Sequence, residues 1–131
     1  MEIQYVVGDA TRPQGWGSCI IVHGCNDAGL WGAGFTGALS RRWAAPERAY
    51  RAWARTTDAL PFALGQVAFV AVAPGLWVAN LISQHGIRQP GAPPIRYDAV
   101  RQGLARVARF ALQHQANAHM PRLGCGLAGG H

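Results

Sequence analysis

The chain carries close to its end the stretch Gly124-Cys125-Gly126-Leu127-Ala128-Gly129, which follows the pattern G-x-G-x-x-G. The same pattern occurs about ninety residues earlier, as Gly32-Ala33-Gly34-Phe35-Thr36-Gly37. Glycine lets a backbone turn with positive φ and come close to a ligand, so that exposed amides can bind phosphate oxygens. Because both runs follow apolar segments, the pair predicts one ligand whose pyrophosphate is held from two sides. Two tight loops without a ligand are the alternative.

The same pattern is the fingerprint of dinucleotide-binding folds, but its surroundings fit that interpretation poorly. The fingerprint follows its strand directly, and an acidic residue that binds the ribose follows roughly 20 residues later. Here the first run comes well after the apolar stretch 19–22, and the acid at that spacing is Asp58, in a polar loop. The second run is followed only by Gly130 and His131. These spacings disfavour an ordinary dinucleotide-binding unit.

Length and composition indicate one globular domain, which we assign to residues 1–131. Half of the residues are apolar and 14% are charged, which is typical of a chain that buries a core. No apolar run approaches the roughly 20 residues that a membrane span needs, and the start of the chain has no signal-peptide pattern. Three cysteines form no even disulfide framework. Together these features predict a cytoplasmic location without a membrane partner.

The net charge is +6, and all 12 basic residues are arginine. This charge favours anionic partners. Arginines at helical spacing, such as Arg48, Arg51 and Arg55, are typical of a solvated face, so nucleic acid is a possible partner and not a required one. No C-x-x-C or His-rich spacing indicates a metal site, and we predict neither a metal nor a cofactor.

Hydrophobic patterning predicts alternating strands and helices. The predicted strands are 3–7, 18–23, 66–73, 76–83 and 118–121, and the predicted helices are 35–43, 46–55 and 97–115. Pro74-Gly75 predicts a hairpin, and Tyr50 and Trp53 are expected to face the core. The apolar residues of the last helix recur at helical spacing as Val100, Leu104, Val107, Ala108, Ala111 and Leu112. The mixture predicts an α/β domain with its ligand at the carboxyl ends of the strands.

Four segments of this chain match motifs of the macrodomain family, the ADP-ribose-binding fold, which the chain resembles over nearly its whole length. They are Val7-Gly8-Asp9-Ala10-Thr11, His23-Gly24-Cys25-Asn26-Asp27, Gly32-Ala33-Gly34-Phe35 and Met120-Pro121-Arg122-Leu123-Gly124-Cys125-Gly126-Leu127. The most similar branch is that of the terminal ADP-ribose protein glycohydrolase and its bacterial relatives. The resemblance implies a three-layer α/β/α fold with a mixed, mostly parallel sheet. Family members continue with a further helix and strand, so the natural gene product is expected to be longer.

The resemblance also implies roles for individual residues, with ADP-ribose and ADP-ribosylated proteins as the partners. Asp9 would bind the adenine amino group, the two glycine runs would bind the diphosphate, and Asn26 and Asp27 would lie near the distal ribose. Trp31 is expected to pack rather than to stack on adenine. The complete set of implied ligand-binding residues is Gly8, Asp9, Ala10, Thr11, Gly32, Ala33, Gly34, Phe35, Ser83, Pro121, Gly124, Cys125, Gly126, Leu127, Ala128 and Gly129.

The chain departs from that branch at the two positions that carry its chemistry. A lysine there attacks the ribose C1″ and an aspartate assists, but the matching positions hold Gln84 and Ala128, and the chain has no lysine. An amine nucleophile is therefore excluded. We expect hydrolysis of ester-linked ADP-ribose from Glu or Asp by water, with Asp27, Asn26 and Gln84 as the catalytic residues. In this scheme Asp27 acts on the water, and Asn26 and Gln84 hold the ribose hydroxyls.

Other functions remain open at this point. The main alternative is a reader module that binds ADP-ribose without turnover, and a third possibility is removal of ADP-ribose from nucleic acid. A thiol nucleophile at Cys125 has no histidine paired with it by spacing, and Ser83 lacks the partners of a serine hydrolase. Cys19 and Cys25 are interpreted as small buried residues, and His23 as a core histidine at a strand end.

Overall fold

The computed structural model describes residues 3–5, 17–32, 35–56, 60–86 and 96–120. These residues form five strands and three helices. In chain order the elements are β1 (Ile3–Tyr5), β2 (Ser18–Asn26), α1 (Phe35–Arg42), α2 (Ala45–Arg55), β3 (Val67–Ala73), β4 (Leu76–Gln84), α3 (Tyr97–His114) and β5 (Ala116–Met120). No helix of this described part is long and apolar enough to cross a bilayer.

The strands form one mixed sheet in the order β1-β5-β2-β4-β3. Neighbouring pairs among β1, β5, β2 and β4 are parallel, whereas β3 runs antiparallel to β4. The predicted hairpin is confirmed, because Pro74 and Gly75 join β3 to β4 directly. Gly75 has a φ of +69°, a conformation that glycine adopts without strain, and its carbonyl accepts a 2.9 Å hydrogen bond from the Cys19 amide.

Helices cover both faces of the sheet, as the predicted three-layer fold requires. On one face Ile20 and Val22 of β2 join a buried cluster with Val107 of α3. On the other face Ile21 packs with Leu39 of α1. Alternate residues of β2 therefore enter opposite cores, and this explains why the strand is an unbroken apolar run.

The helix α2 confirms its predicted orientation. Tyr50 and Trp53 are buried, while Arg48, Arg51 and Arg55 are exposed. The buried side of α3 differs from the predicted one, because Leu112 is 68% exposed and the buried residues are instead Ala99, Gly103, Val107 and Ala111. This row has a spacing of four and consists mostly of small residues, which lets the helix axis come close to the sheet.

Four strand boundaries within the described residues differ from those predicted, and two of them matter for the site. The strand β3 begins one residue later than predicted, at Val67. The strand β2 ends at Asn26 instead of residue 23, and β4 ends at Gln84 instead of residue 83. The two strands stay paired beyond His23, and the pairing continues through a bulge to Asn26 opposite Gln84. β5 begins two residues earlier than predicted, at Ala116.

Candidate functional site

The ends of β2 and β4 bring together the three residues that were predicted to be catalytic. Asn26 pairs with Gln84 in the last register position of the two strands. The Asp27 amide then donates a 3.0 Å hydrogen bond to the Gln84 carbonyl. Because both strands are parallel, this is their carboxyl edge, where ligands bind in open α/β sheets.

Asn26 holds the turn that follows β2. Its Oδ1 accepts hydrogen bonds from the amides of Ala28 (2.9 Å) and Leu30 (3.2 Å), and its Nδ2 donates to the Leu30 carbonyl at 2.7 Å. The Tyr50 hydroxyl lies 2.7 Å from Asn26 Oδ1 and 2.7 Å from its carbonyl oxygen. The Asn26 side chain therefore fixes the backbone on which Asp27 sits, and a contact between Asn26 and the ribose remains a prediction.

We expect Tyr50→Phe to lower the free energy of unfolding by about 1 to 1.5 kcal/mol, since the buried hydroxyl bonds to Asn26 from a second element. Urea denaturation followed by circular dichroism measures this change. Removing the hydroxyl should also loosen the turn, so protection of the Ala28 and Leu30 amides from hydrogen exchange should fall. Unchanged stability together with unchanged exchange would show that the hydroxyl does not support the turn.

Asp27 and His85 face each other across the two strand ends. Asp27 Oδ2 lies 2.8 Å from His85 Nδ1, and Asp27 Oδ1 accepts a 2.7 Å hydrogen bond from the Gly86 amide. Burial acts to raise the pKa of Asp27, but the Gly86 amide and the His85 imidazole outweigh it and hold that pKa below its ordinary value. Asp27 is therefore a carboxylate at neutral pH.

His85 is the site residue that sequence reasoning missed. His85 has no histidine, cysteine or acid at a ligand-like spacing, so its spacing predicts no role. Its position is the sequence feature that could have indicated a role in the site, because His85 directly follows Gln84 at the predicted end of a strand. Its contact with Asp27 spans 58 positions of the sequence, so local spacing did not reveal it.

A buried polar contact lies on β2 and β4 below this edge. His23 is only 1% exposed, and its Nε2 lies 2.5 Å from Asn80 Oδ1. The Asn80 amide group donates in turn to the Pro46 carbonyl at 3.1 Å. Burial lowers the pKa of His23 to about 4, and the hydrogen bond to Asn80 opposes this only in part. His23 is thus a neutral core histidine, as predicted.

The aromatic residues beside His23 belong to the core. The ring of Trp31 meets the His23 ring edge-on at 5.4 Å, and its indole N–H donates to Ser40 Oγ at 2.7 Å. Phe35 begins α1, and its ring lies 5.8 Å from His23. In the described part of the molecule Trp31 therefore packs on its neighbours. Gly32, at the start of the first glycine run, is exposed, and its carbonyl accepts a hydrogen bond from the Thr36 hydroxyl.

Most of the predicted ligand-binding residues lie outside the described residues. They are Gly8, Asp9, Ala10, Thr11, Ala33, Gly34, Pro121, Gly124, Cys125, Gly126, Leu127, Ala128 and Gly129. The two strands that precede these segments in the sequence, β1 and β5, both run parallel to β2. The chain therefore leaves both strands towards the edge that carries Asp27. Ser83 is described and buried, and its carbonyl accepts a 2.8 Å hydrogen bond from the Arg96 amide.

The described cysteines are unsuited to nucleophilic chemistry. Cys19 and Cys25 are free and buried, as predicted, and burial raises the pKa of both thiols. A thiol with a raised pKa holds little of the thiolate that would react or bind a metal. Within residues 17–32, 35–56, 60–86 and 96–120, no three His, Cys, Asp or Glu side chains form a group that could hold a metal ion.

A mixed α/β sheet with polar side chains gathered at the carboxyl edge defines a ligand-binding α/β domain. Comparison with solved structures specifies the class further. A macrodomain protein from Streptomyces coelicolor is 53% identical to this chain with a TM-score of 0.85, and the match covers 98% of this chain and 82% of that one. The chain belongs to the macrodomain family. A structure from Bacteroides thetaiotaomicron is 56% identical over 100% of this chain and 83% of its own, with a TM-score of 0.91.

A match to a larger animal protein is confined to a small part of it. The chromodomain-helicase-DNA-binding protein 1-like of Mus musculus is 32% identical over 133 residues, which cover 94% of this chain. This chain spans only 14% of the length of that relative. No protein-family model matches the chain.

Proposed function

We propose that this macrodomain binds ADP-ribose and hydrolyses ester-linked mono-ADP-ribose on glutamate or aspartate side chains of proteins. The observation that carries the proposal is the Asp27 carboxylate, which is held by Gly86 and His85 at the joined ends of β2 and β4. An ionised carboxylate at the ligand edge can orient a water molecule or take up its proton. We place the protein in the branch of the terminal ADP-ribose protein glycohydrolase and its bacterial relatives.

The binding half of the proposal assigns one element to each part of the ligand. Asp9 accepts a hydrogen bond from the adenine amino group, which is worth roughly 1.5–3 kcal/mol for a charged acceptor. The amides of the two glycine runs bind the diphosphate. The parallel course of β1, β5 and β2 supports this assignment, because all three strands lead the chain to the same edge. Ser83 and Phe35 line the pocket near the distal ribose.

The catalytic half uses water, since the chain contains no lysine that could form a Schiff base. The ester bond between a carboxylate and C1″ is activated, so positioning of water and substrate supplies much of the rate. Asp27 is required for activation of the water, and Gln84 holds a ribose hydroxyl. Asn26 acts as a positioning residue through the turn that it holds. The two described cysteines are free, which fits the proposed cytoplasmic location.

Two measurements on the same preparation test the proposal. Isothermal calorimetry with ADP-ribose measures binding, and loss of label from a protein mono-ADP-ribosylated on glutamate measures turnover. For Asp27→Asn we expect at least a tenfold loss of turnover and a Kd for ADP-ribose within threefold of the unsubstituted protein. Asp98→Asn, at an exposed position of α3, is the matched control and should change neither quantity. Equal turnover in Asp27→Asn would remove Asp27 from the mechanism.

The same measurements separate the alternatives. Binding without release would identify a reader of ADP-ribose, a function that the glutamine and alanine at positions 84 and 128 favour. Release from an ADP-ribosylated oligonucleotide, with none from the protein, would identify a nucleic-acid substrate, which the net charge of +6 suits. Tighter binding of NAD than of ADP-ribose would support a dinucleotide-binding protein and contradict the proposal.

A further inference from the structure

We propose that His85 is the general base of this site and that Asp27 acts through it as a positioning carboxylate. The inference rests on the proposed function and adds a residue that the sequence pattern did not identify. It assigns the proton of the attacking water to His85 Nε2. Asp27 then orients the imidazole and does not itself meet the substrate.

The hydrogen bond to Asp27 holds the His85 imidazole by its Nδ1 atom. Two hydrogen bonds hold Asp27 in place. Its backbone amide donates to the Gln84 carbonyl at 3.0 Å, and its Oδ1 accepts from the Gly86 amide at 2.7 Å. Its second oxygen, Oδ2, lies 2.8 Å from His85 Nδ1. A carboxylate accepts only, so a neutral imidazole must donate its Nδ1–H, and this tautomer leaves the lone pair on Nε2. The same logic orients the histidine of Asp–His pairs in hydrolases.

Exposure assigns the two roles to the two groups. The His85 side chain is 63% exposed, whereas that of Asp27 is 21% exposed. Both Asp27 oxygens already accept hydrogen bonds from the protein. The imidazole therefore reaches the solvent from which a substrate and its water arrive, while the carboxylate stays behind it. A histidine that meets water and is oriented by a partly buried carboxylate is suited to general-base catalysis.

The other described histidines do not offer this chemistry. His23 and His119 are buried, and burial lowers the pKa of both. The Nδ1 of His114 lies 2.9 Å from the Phe110 carbonyl in its own helix. Within residues 17–32, 35–56, 60–86 and 96–120, His85 is the histidine that contacts a carboxylate. Burial, and after it the neighbouring Cys25 and Asp27, raise the pKa of Tyr50, so its hydroxyl stays protonated near neutral pH.

The step balances without a further reagent. The water oxygen forms a bond to C1″ as the bond between C1″ and the ester oxygen breaks, and the carboxylate of the acceptor leaves with the bonding electron pair. One water proton moves to His85 Nε2, and His85 later releases it to solvent. The products are ADP-ribose and the free glutamate or aspartate side chain. No oxidation or reduction takes place.

The test compares binding, turnover and rescue by added imidazole in His85→Ala and His85→Gln. We expect both variants to bind ADP-ribose within threefold of the unsubstituted Kd and to release label about 100-fold more slowly, because general-base catalysis contributes roughly 10²–10⁴-fold. Added imidazole should restore at least tenfold to His85→Ala and nothing to Asp27→Asn. His114→Ala, at the opposite end of the sheet beside Trp77, is the matched histidine control.

The outcomes separate this inference from the function on which it rests. If the unsubstituted protein neither binds ADP-ribose nor releases label, the proposed function fails. If it does both and His85→Ala releases label as fast, His85 is not the base while the function stands. Weaker ADP-ribose binding in both His85 variants, without rescue by imidazole, would make His85 a binding residue and would also overturn the inference. Loss of turnover with binding retained and rescue by imidazole supports it.

Discussion

Replacement of Gly103 by valine is expected to lower the free energy of unfolding by about 3 kcal/mol or more, which would be one of the largest effects of a single substitution in this chain. Gly103 lies at the centre of α3, where it faces Leu81 of β4. A Cβ added at position 103 would overlap Leu81 Cγ and both of its Cδ atoms. Leu81 is completely buried, so its side chain has no solvent-filled space to enter. The helix must then move away from the sheet.

A second glycine provides the control for Gly103. Gly37 is also helical, but a Cβ there would meet only the end of the Arg41 side chain, at 3.8 Å. Gly37→Ala should therefore raise the free energy of unfolding by roughly 0.5–1 kcal/mol through helix propensity alone. Urea denaturation of both variants and of Gly103→Ala measures the difference. Equal effects of alanine at positions 37 and 103 would show that α3 does not depend on close packing against Leu81.

The stability of the fold is expected to fall by about 3 kcal/mol between pH 6.5 and pH 4 on account of His23 alone. In the folded protein, burial lowers the pKa of His23 to about 4, whereas its ordinary value is 6.5. As the pH falls from 6.5 towards 4, His23 becomes protonated in the unfolded chain while it stays neutral in the folded protein. The contribution is therefore complete above pH 6.5 and is lost as the pH approaches 4.

His23→Gln isolates this effect, because glutamine can still bond to Asn80 but does not titrate between these pH values. We expect urea denaturation to show a smaller loss of stability from pH 7 to pH 4.5 in the variant than in the unsubstituted protein. The carboxylates, Asp27 included, titrate in both proteins, so their contributions cancel in the comparison. Identical pH profiles would mean that folding does not lower the pKa of His23.

Local features of the sequence were enough to predict most of the elements. Pro46 at a helix start and the spacing of Tyr50 and Trp53 indicated α2 and its buried side, and both are confirmed. Pro74-Gly75 indicated the hairpin between β3 and β4. These predictions succeeded because a turn or an amphipathic helix depends on residues within about one or two turns of each other.

Predictions from the sequence failed where contacts with residues far away in the chain determine the end of a strand or the buried side of a helix. The apolar run predicts that β2 ends at residue 23, yet the strand continues for three more residues through the pairing of Asn26 with Gln84. Leu112 was assigned to an apolar stripe, but the close approach at Gly103 turns the buried side of α3 away from it. A single sequence does not report which element packs against which face.

The sequence by itself determined the family of the fold, the order of its strands and helices along the chain, and the chemistry that is ruled out by the absence of lysine. The order of the elements and the excluded chemistry follow from residue type and short-range spacing, whereas the family is implied by the resemblance of four sequence motifs. Only the tertiary structure placed His85 against Asp27 and closed the Asn26 turn with Tyr50. Those contacts join residues 58 and 24 positions apart. The first contact exists because the parallel strands β2 and β4 carry distant parts of the chain to one edge of the sheet. The second joins the helix α2 to the end of β2.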